Sequence, residues 1–156
     1  SDPPYSKWKE AYRFDTHELI PPAIVKESSG RLVLFFRPWS EPRQISLSHS
    51  KDQGGSWSHP ITSPLPNPLS GISAFSANSD IVVVYNHTEK HQRWPLSVSS
   101  SPNGGKTWRK VKHIDPVQLE VSYPSFIYGN ENITHGVYTY NRRMIKYVKF
   151  SKDSFN

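Results

Sequence analysis

Cysteine is absent from this 156-residue chain, which excludes a disulfide framework and any thiolate metal site. No run approaches the ~18 apolar residues needed to cross a bilayer, so no membrane span is expected. Helical periodicity is missing throughout: apolar residues do not recur at i, i+3, i+4 and i+7 over any useful length. The opening Ser1-Asp2-Pro3-Pro4 shows no charged-then-apolar leader. No His-Glu-x-x-His, phosphate loop or nucleophile elbow occurs. His87 and His91 stand four apart, but in a stretch that reads as loop rather than helix, so no metal is expected and no cofactor is implied. Aromatic and basic residues interleave from Tyr138 to Tyr147. Their alternation fits a strand better than a stacking platform for single-stranded nucleic acid, and no nucleic-acid partner is expected.

What is present points to short strands. Hydrophobic residues make up 35% of the chain and aromatic residues 13%, with 14 Pro and 8 Gly. Such a composition suits many strands joined by turns. The length is that of one domain, enough to bury about two-thirds of the unfolded surface. A net charge of +6, spread along the chain, favours anionic ligands. Asn86-His87-Thr88 and Asn132-Ile133-Thr134 are glycosylation sequons, compatible with a secretory setting.

The strongest signal is an octet that recurs. Ser50-Lys-Asp-Gln-Gly-Gly-Ser-Trp57 is followed by Ser101-Pro-Asn-Gly-Gly-Lys-Thr-Trp108, and Ser151-Lys-Asp-Ser-Phe-Asn156 begins a third copy. A period near 50 residues marks a stacked or radial repeat. Each position has a physical task. Asp52 or Asn103 accepts backbone N–H groups and folds a tight turn. Gly54 or Gly105 allows a left-handed backbone. Ser50 or Ser101 ties the turn through its hydroxyl, and Trp57 or Trp108 pins it to a sheet. The pattern resembles the Asp-box of the sialidase (neuraminidase) superfamily, where it joins the third and fourth strands of a propeller blade, away from the active site.

Around the boxes the grammar repeats. Residues 1–18 read as a lead-in, with Trp8 and Tyr12 closing a preceding strand. Blades are expected over 19–62, 63–113 and 114–156. Their second strands are Leu32–Arg37, Asp80–Asn86 and Ile133–Tyr140, and the first two include near-continuous apolar runs, as when both faces of a sheet are covered. Gly30, Ser79 and Asn130 mark equivalent turns. The fold expected is all-β: about three four-stranded propeller blades, the last lacking its outer strand.

Several phrases are more specific: Leu19-Ile-Pro-Pro22, Arg37, Leu65-Pro-Asn-Pro-Leu-Ser-Gly-Ile72, Arg93-Trp-Pro-Leu96, Ser122-Tyr-Pro-Ser125 and Tyr138-Thr-Tyr-Asn-Arg142. In this order and spacing they resemble the C-terminal half of the neuraminidase-like BNR-repeat family, over residues 19–150. The resemblance implies half of a six-bladed propeller with a glycan site at the centre of one face. It implies three arginines on a substrate carboxylate, a geometry guanidinium groups suit, with a tyrosine nucleophile, a neighbouring Glu and an acid/base Asp. A neutral nucleophile is less repelled by an anionic sugar. Arg37, Arg93 and Arg142 are the candidate anion contacts, with Arg143 as an alternative to Arg142. Tyr123 and Tyr138 are the candidate nucleophiles, and Asn67 and Ser70 the candidate hydroxyl contacts. The bland alternatives are strand ends, packing between blades and a Pro-Asn-Pro turn. Glu18 and Glu120 lie nearest the phrases, but neither matches a family position. Pro21 stands where the family usually has Gln. The acid/base Asp belongs to the N-terminal blades, so this chain alone is expected to lack a complete catalytic set. The implied partners are a carbohydrate and a second propeller half, supplied by another chain or a second copy. The alternative is a non-catalytic adhesin or assembly subunit that retains the scaffold.

Overall fold

The computed structural model describes residues 8–16 and 18–151 and, within them, the side chains of all but Pro21 and Pro22. Three antiparallel sheets follow one another along the chain. The first contains β1 (Leu19–Lys26), β2 (Leu32–Pro38), β3 (Gln44–Ser50) and β4 (Ile61–Pro66). The second contains β5 (Ser73–Ala77), β6 (Asp80–Asn86), β7 (Leu96–Ser101) and β8 (Lys112–Asp115). The third holds β9 (Val121–Tyr128), β10 (Ile133–Tyr140) and β11 (Met144–Ser151). Each is a plain meander with neighbouring strands paired in sequence order. The first strands β1, β5 and β9 lie side by side, so the sheets are arranged as successive blades. The third blade has three strands among the described residues; the partial third box lies beyond them apart from Ser151.

The apolar runs are explained by burial on two sides. On β6, Ile81, Val83 and Tyr85 pack with Val33, Phe35, Ile45 and Leu47 of the first sheet. The alternate residues Val82 and Val84 pack with Leu96, Val98, Val121, Phe126 and Tyr138 toward the third sheet. A central blade thus spends its whole second strand on core, and each fully buried large aliphatic side chain contributes about 1.5–3 kcal/mol. The outer faces differ. On the third sheet Ile127, Val137, Ile145 and Tyr147 are exposed, and the register places Val137 opposite Tyr147 and His135 opposite Ile127. On the first sheet Phe36 is covered by Phe14, whose ring lies 5.1 Å away.

Residues 8–16 pair with no strand of this chain; Phe14 packs against Phe36 and Trp57, with the Tyr12 ring against it. The turns fall where Gly30, Ser79 and Asn130 mark them, and their left-handed residues are Gly30 in the first, Asn78 in the second, and Glu131 and Asn132 in the third. The short amide of Asn78 or Asn132 tolerates that conformation better than most side chains.

Candidate functional site

Strand register separates the two ends of the sheets. Arg37, at the end of β2, pairs with Ile20, while Ser50, which opens the first box, pairs with Leu32 at the start of β2. In the second sheet Ser101 pairs with Ile81, and Leu96 pairs with Asn86 at the opposite end. Both boxes therefore lie at one end, and the loops carrying Arg37, Asn67, Arg93, Glu120 and Arg142 lie at the other.

The loop end is stitched by backbone. The Val121 N–H donates to the Arg93 carbonyl at 3.0 Å, and the Asn141 N–H to the Glu120 carbonyl at 2.6 Å. These bonds hold three loops of the second and third blades together. On this frame stands a cluster of five side chains. Arg93 Nη1 donates to the Tyr123 hydroxyl at 2.7 Å and, at 3.5 Å, to Glu120 Oε1. Its guanidinium lies 5.2 Å from the centre of the Tyr123 ring. Arg142 Nε donates to Glu120 Oε2 at 2.7 Å, and the Ser122 hydroxyl donates to Oε1 at 2.8 Å. A shallow recess of about 360 Å3, lined in part by His91, Arg93, Glu120 and Arg142, opens beside them. A similar hollow of about 400 Å3 lies by Phe14, Trp57 and His59; it collects no comparable set of charges.

Of the eight left-handed non-glycine residues described, Gln53, Asn78, Glu131 and Asn132 lie at the box end and the other four at this end. Leu69, Tyr123, Asn141 and Arg142 have φ of +61°, +53°, +49° and +50°. A left-handed non-glycine residue costs about 1–2 kcal/mol, and such residues concentrate at functional sites. Gly71 lies under Tyr123: a Cβ there would stand 3.3 Å from the Tyr123 ring and 3.6 Å from its Cα. The ring is thus seated on a glycine, and it is 53% exposed.

Burial pushes the Glu120 carboxyl up, but the Ser122 hydroxyl and the Arg142 and Arg93 guanidiniums outweigh it and hold it below the usual carboxylate range. Glu120 is the residue whose role sequence reasoning missed. Its place two residues before Ser122 in Glu-x-Ser-Tyr-Pro was the available signal.

The other candidates are placed differently. Arg37 Nη1 donates to the Leu69 carbonyl at 3.0 Å, and its Nε is buried without a hydrogen-bond partner. Asn67 and Ser70 are fully buried. Asn67 Oδ1 accepts the Ser70 N–H at 2.8 Å, and its Nδ2 donates to the Ser70 carbonyl at 3.1 Å. These two residues shape the turn leading to Gly71 and do not present groups to a sugar. Tyr138, the second candidate nucleophile, is buried between the second and third sheets. Its hydroxyl donates to Asp115 Oδ2 at 2.7 Å, an oxygen that also accepts from Lys146 Nζ at 2.7 Å. Burial and the neighbouring Asp115 carboxylate raise the Tyr138 hydroxyl above its ordinary value. A phenol shut in this way reaches no substrate. Arg143 is exposed, and its N–H donates to the Tyr140 carbonyl.

Of the sequons, Asn86 is fully buried. Its Nδ2 donates to the Val121 and Pro95 carbonyls, so the folded chain has no room for a glycan there. Asn132 is exposed. Among the described residues no three His, Cys, Asp or Glu side chains gather as a metal site, and no helix is long and apolar enough to cross a membrane.

Comparison with known proteins follows the same lines. The BNR repeat-like domain family matches residues 1–135. No curated protein sequence matches. Among solved structures, the NanB sialidase of Streptococcus pneumoniae superposes with a TM-score of 0.75 at 13% identity, over 86% of this chain and 24% of that one. The Trypanosoma rangeli sialidase in complex with the inhibitor DANA gives 0.74 at 15%, over 99% and 27%. The leech intramolecular trans-sialidase gives 0.69 at 16%, over 83% and 23%. At these identities the likeness is one of fold, and the chain spans about a quarter of each of these enzymes.

Proposed function

The chain belongs to the BNR repeat-like domain family, and from that premise we propose that it is the glycan-binding part of a sialidase-like propeller acting on terminal acidic sugars. The observation that carries this reading is the Arg93–Tyr123 pair: an exposed phenol, in a strained backbone and seated on Gly71, accepts a guanidinium hydrogen bond. Guanidinium groups suit a sugar carboxylate because their N–H donors match its oxygens in pairs. Arg93 and Arg142 take that role. Arg37 joins them only by leaving the Leu69 carbonyl. Tyr123 is the nucleophile: its oxygen attacks the anomeric carbon as the glycosidic bond breaks, its phenol proton passes to a carboxylate supplied from outside this chain, and the Arg93 N–H stabilises the negative charge that develops on the phenol oxygen as the proton leaves. The acid that protonates the leaving oxygen comes from outside this chain.

The exposed apolar face formed by Ile127, Val137, Ile145 and Tyr147 supports a second half of the ring packing there. A patch of this kind marks an interaction surface when it is large enough.

A second reading, a non-catalytic propeller part, draws on one observation. Among the described residues Glu120 is the sole carboxylate bonded into the cluster, and two arginines already hold it. The test begins with native and denatured masses, which identify what completes the ring. Turnover of a fluorogenic α-sialoside and binding of N-acetylneuraminate are then measured on that assembly. Tyr123→Phe abolishes turnover and leaves binding nearly intact on the first reading. Binding without turnover in the complete assembly selects the second as an adhesin, and failure to bind the sugar acid rejects the first and leaves only an assembly subunit.

A further inference from the structure

We propose that Glu120 is a positioning residue that couples Arg93 to Arg142 and sets the charge of the anion seat, so that the seat takes one carboxylate in preference to a dianion. The inference rests on the proposed function and deepens it.

The geometry comes first. Two guanidiniums brought to one recess repel each other unless a counter-charge lies between them. Glu120 supplies it, with one carboxylate oxygen toward each arginine: Oε2 on Arg142 Nε at 2.7 Å and Oε1 toward Arg93 Nη1 at 3.5 Å. Ser122 fixes the rotation of the carboxylate by donating to Oε1. The residue is held at its backbone as well, through the Asn141 N–H on its carbonyl. The Glu120 side chain is 22% exposed, whereas that of Arg142 is 68% exposed. An exposed arginine loses much side-chain freedom when it is ordered. The carboxylate therefore restrains the arginine rather than the reverse.

Charge follows from the same contacts. Arg93 and Arg142 carry two positive charges and Glu120 one negative, leaving a single positive charge at the seat. Arg37 does not add to this set while it serves the Leu69 carbonyl. One carboxylate neutralises such a seat, whereas a sulfate over-neutralises it and meets the Glu120 oxygens as like charges. Neither arginine is saturated: a guanidinium has five N–H donors, and Glu120 engages them from one side.

The test uses the full chain in its native assembly, with N-acetylneuraminate as monoanion and inorganic sulfate as dianion, titrated against wild type and Glu120→Gln. Glutamine keeps the shape and one acceptor oxygen but removes the charge. The expected result is a shift in the neuraminate-to-sulfate affinity ratio of about tenfold or more toward sulfate, with neuraminate binding weakened several-fold. A parallel gain for both ions would overturn the proposal, because Glu120 would then be a mere competitor for the arginines. Unchanged affinities would overturn it too, reducing Glu120 to a turn contact.

A readout independent of any sugar accompanies the titration. The Arg142 Nε–H resonance, followed by 15N NMR, should shift between wild type and Glu120→Gln. An identical resonance in both removes the coupling. A shifted resonance in a protein that binds no neuraminate rejects the proposed function and the charge preference, while the Glu120–Arg142 coupling stands.

Discussion

The two complete boxes are built alike and sit in different surroundings. In the first, Asp52 Oδ1 accepts the Ser56 N–H at 2.9 Å and the Ser50 hydroxyl at 2.8 Å. In the second, Asn103 Oδ1 accepts the Thr107 N–H at 2.8 Å and the Ser101 hydroxyl at 3.1 Å. Each serine oxygen accepts the glycine N–H four residues on, from Gly54 or Gly105. One hydrogen bond runs in opposite directions. Ser56 donates its hydroxyl to Asp52 Oδ2, whereas Asn103 Nδ2 donates to the Thr107 hydroxyl. The turn therefore needs the shared oxygen, and the second atom of the side chain can be acceptor or donor if residue 56 or 107 carries a hydroxyl.

The neighbours separate the boxes further. Trp108 packs at the first blade's core with Phe35, ring centres 6.1 Å apart. Trp57 faces Phe14 of the lead-in at 5.8 Å. Gly104 is buried against the Glu27–Arg31 ion pair of the preceding blade, while its counterpart Gln53 is exposed and donates to the Gly30 carbonyl. Both positions are left-handed, at φ of +74° and +57°. A box with a blade behind it has become part of an inter-blade joint. The other remains a surface turn.

The tryptophans provide the strongest way to break this comparison. Trp108→Ala should destabilise the chain by about 3 kcal/mol and Trp57→Ala by about 1–2 kcal/mol, since the first removes core contacts between two blades. Urea midpoints of the two variants check the order, and equal losses would contradict a joint at the second box alone. Next in size is the left-handed pair. A Cβ on Gly104 would fall 1.9 Å from Arg31 Nη2 and 2.5 Å from Glu27 Oε1. Gly104→Ala should cost about 2 kcal/mol through the strained φ and the displaced ion pair. Gln53→Gly should stay within about 0.5 kcal/mol, because relief of the left-handed backbone offsets the lost Gly30 contact.

Acid sharpens the comparison without any substitution. The Ser56 hydroxyl, the Ser56 N–H and the Ser50 hydroxyl hold the Asp52 carboxyl down to about 2. A depressed carboxylate contributes stability above its unfolded value and loses it as pH falls through the folded one. The Ser56 amide should therefore shift, and exchange faster, between about pH 4 and pH 2. The Thr107 amide, bonded to Asn103, has no titrating acceptor and should not follow. Asp52→Asn should flatten the Ser56 profile. The smallest effect expected is from Asn103→Asp, within about 0.5 kcal/mol at neutral pH. Thr107 can turn its hydroxyl to donate, and the new carboxylate should give Thr107 the acid profile of Ser56.

Much of this was legible in the chain itself. The octets identified both turns because their residue types are fixed by local hydrogen bonds. The apolar run Ile81–Tyr85 announced a strand covered on both faces. Arg93 and Tyr123 were marked by their phrases, and the loop end brings them together. Asn67, Ser70 and Tyr138 were legible only as polar residues in suggestive phrases. Whether a hydroxyl faces a recess or a core depends on which strand packs across it. The Asn86 sequon failed for the same reason: its side chain spans from Pro95 to Val121.

What the sequence determined by itself was therefore local and periodic: the strand rhythm, the turns, the all-β class and a repeat near 50 residues, each set by interactions within a few residues of the chain. Only the tertiary structure decided which side chains meet. Glu120 reaches Arg93 across 27 residues and Arg142 across 22, and Tyr123 finds Arg93 across 30. The Arg142 contact closes when β9 pairs with β10 in one sheet, whereas both Arg93 contacts close only when two blades pack, and that packing is driven by apolar faces carrying no information about the charges at their rim.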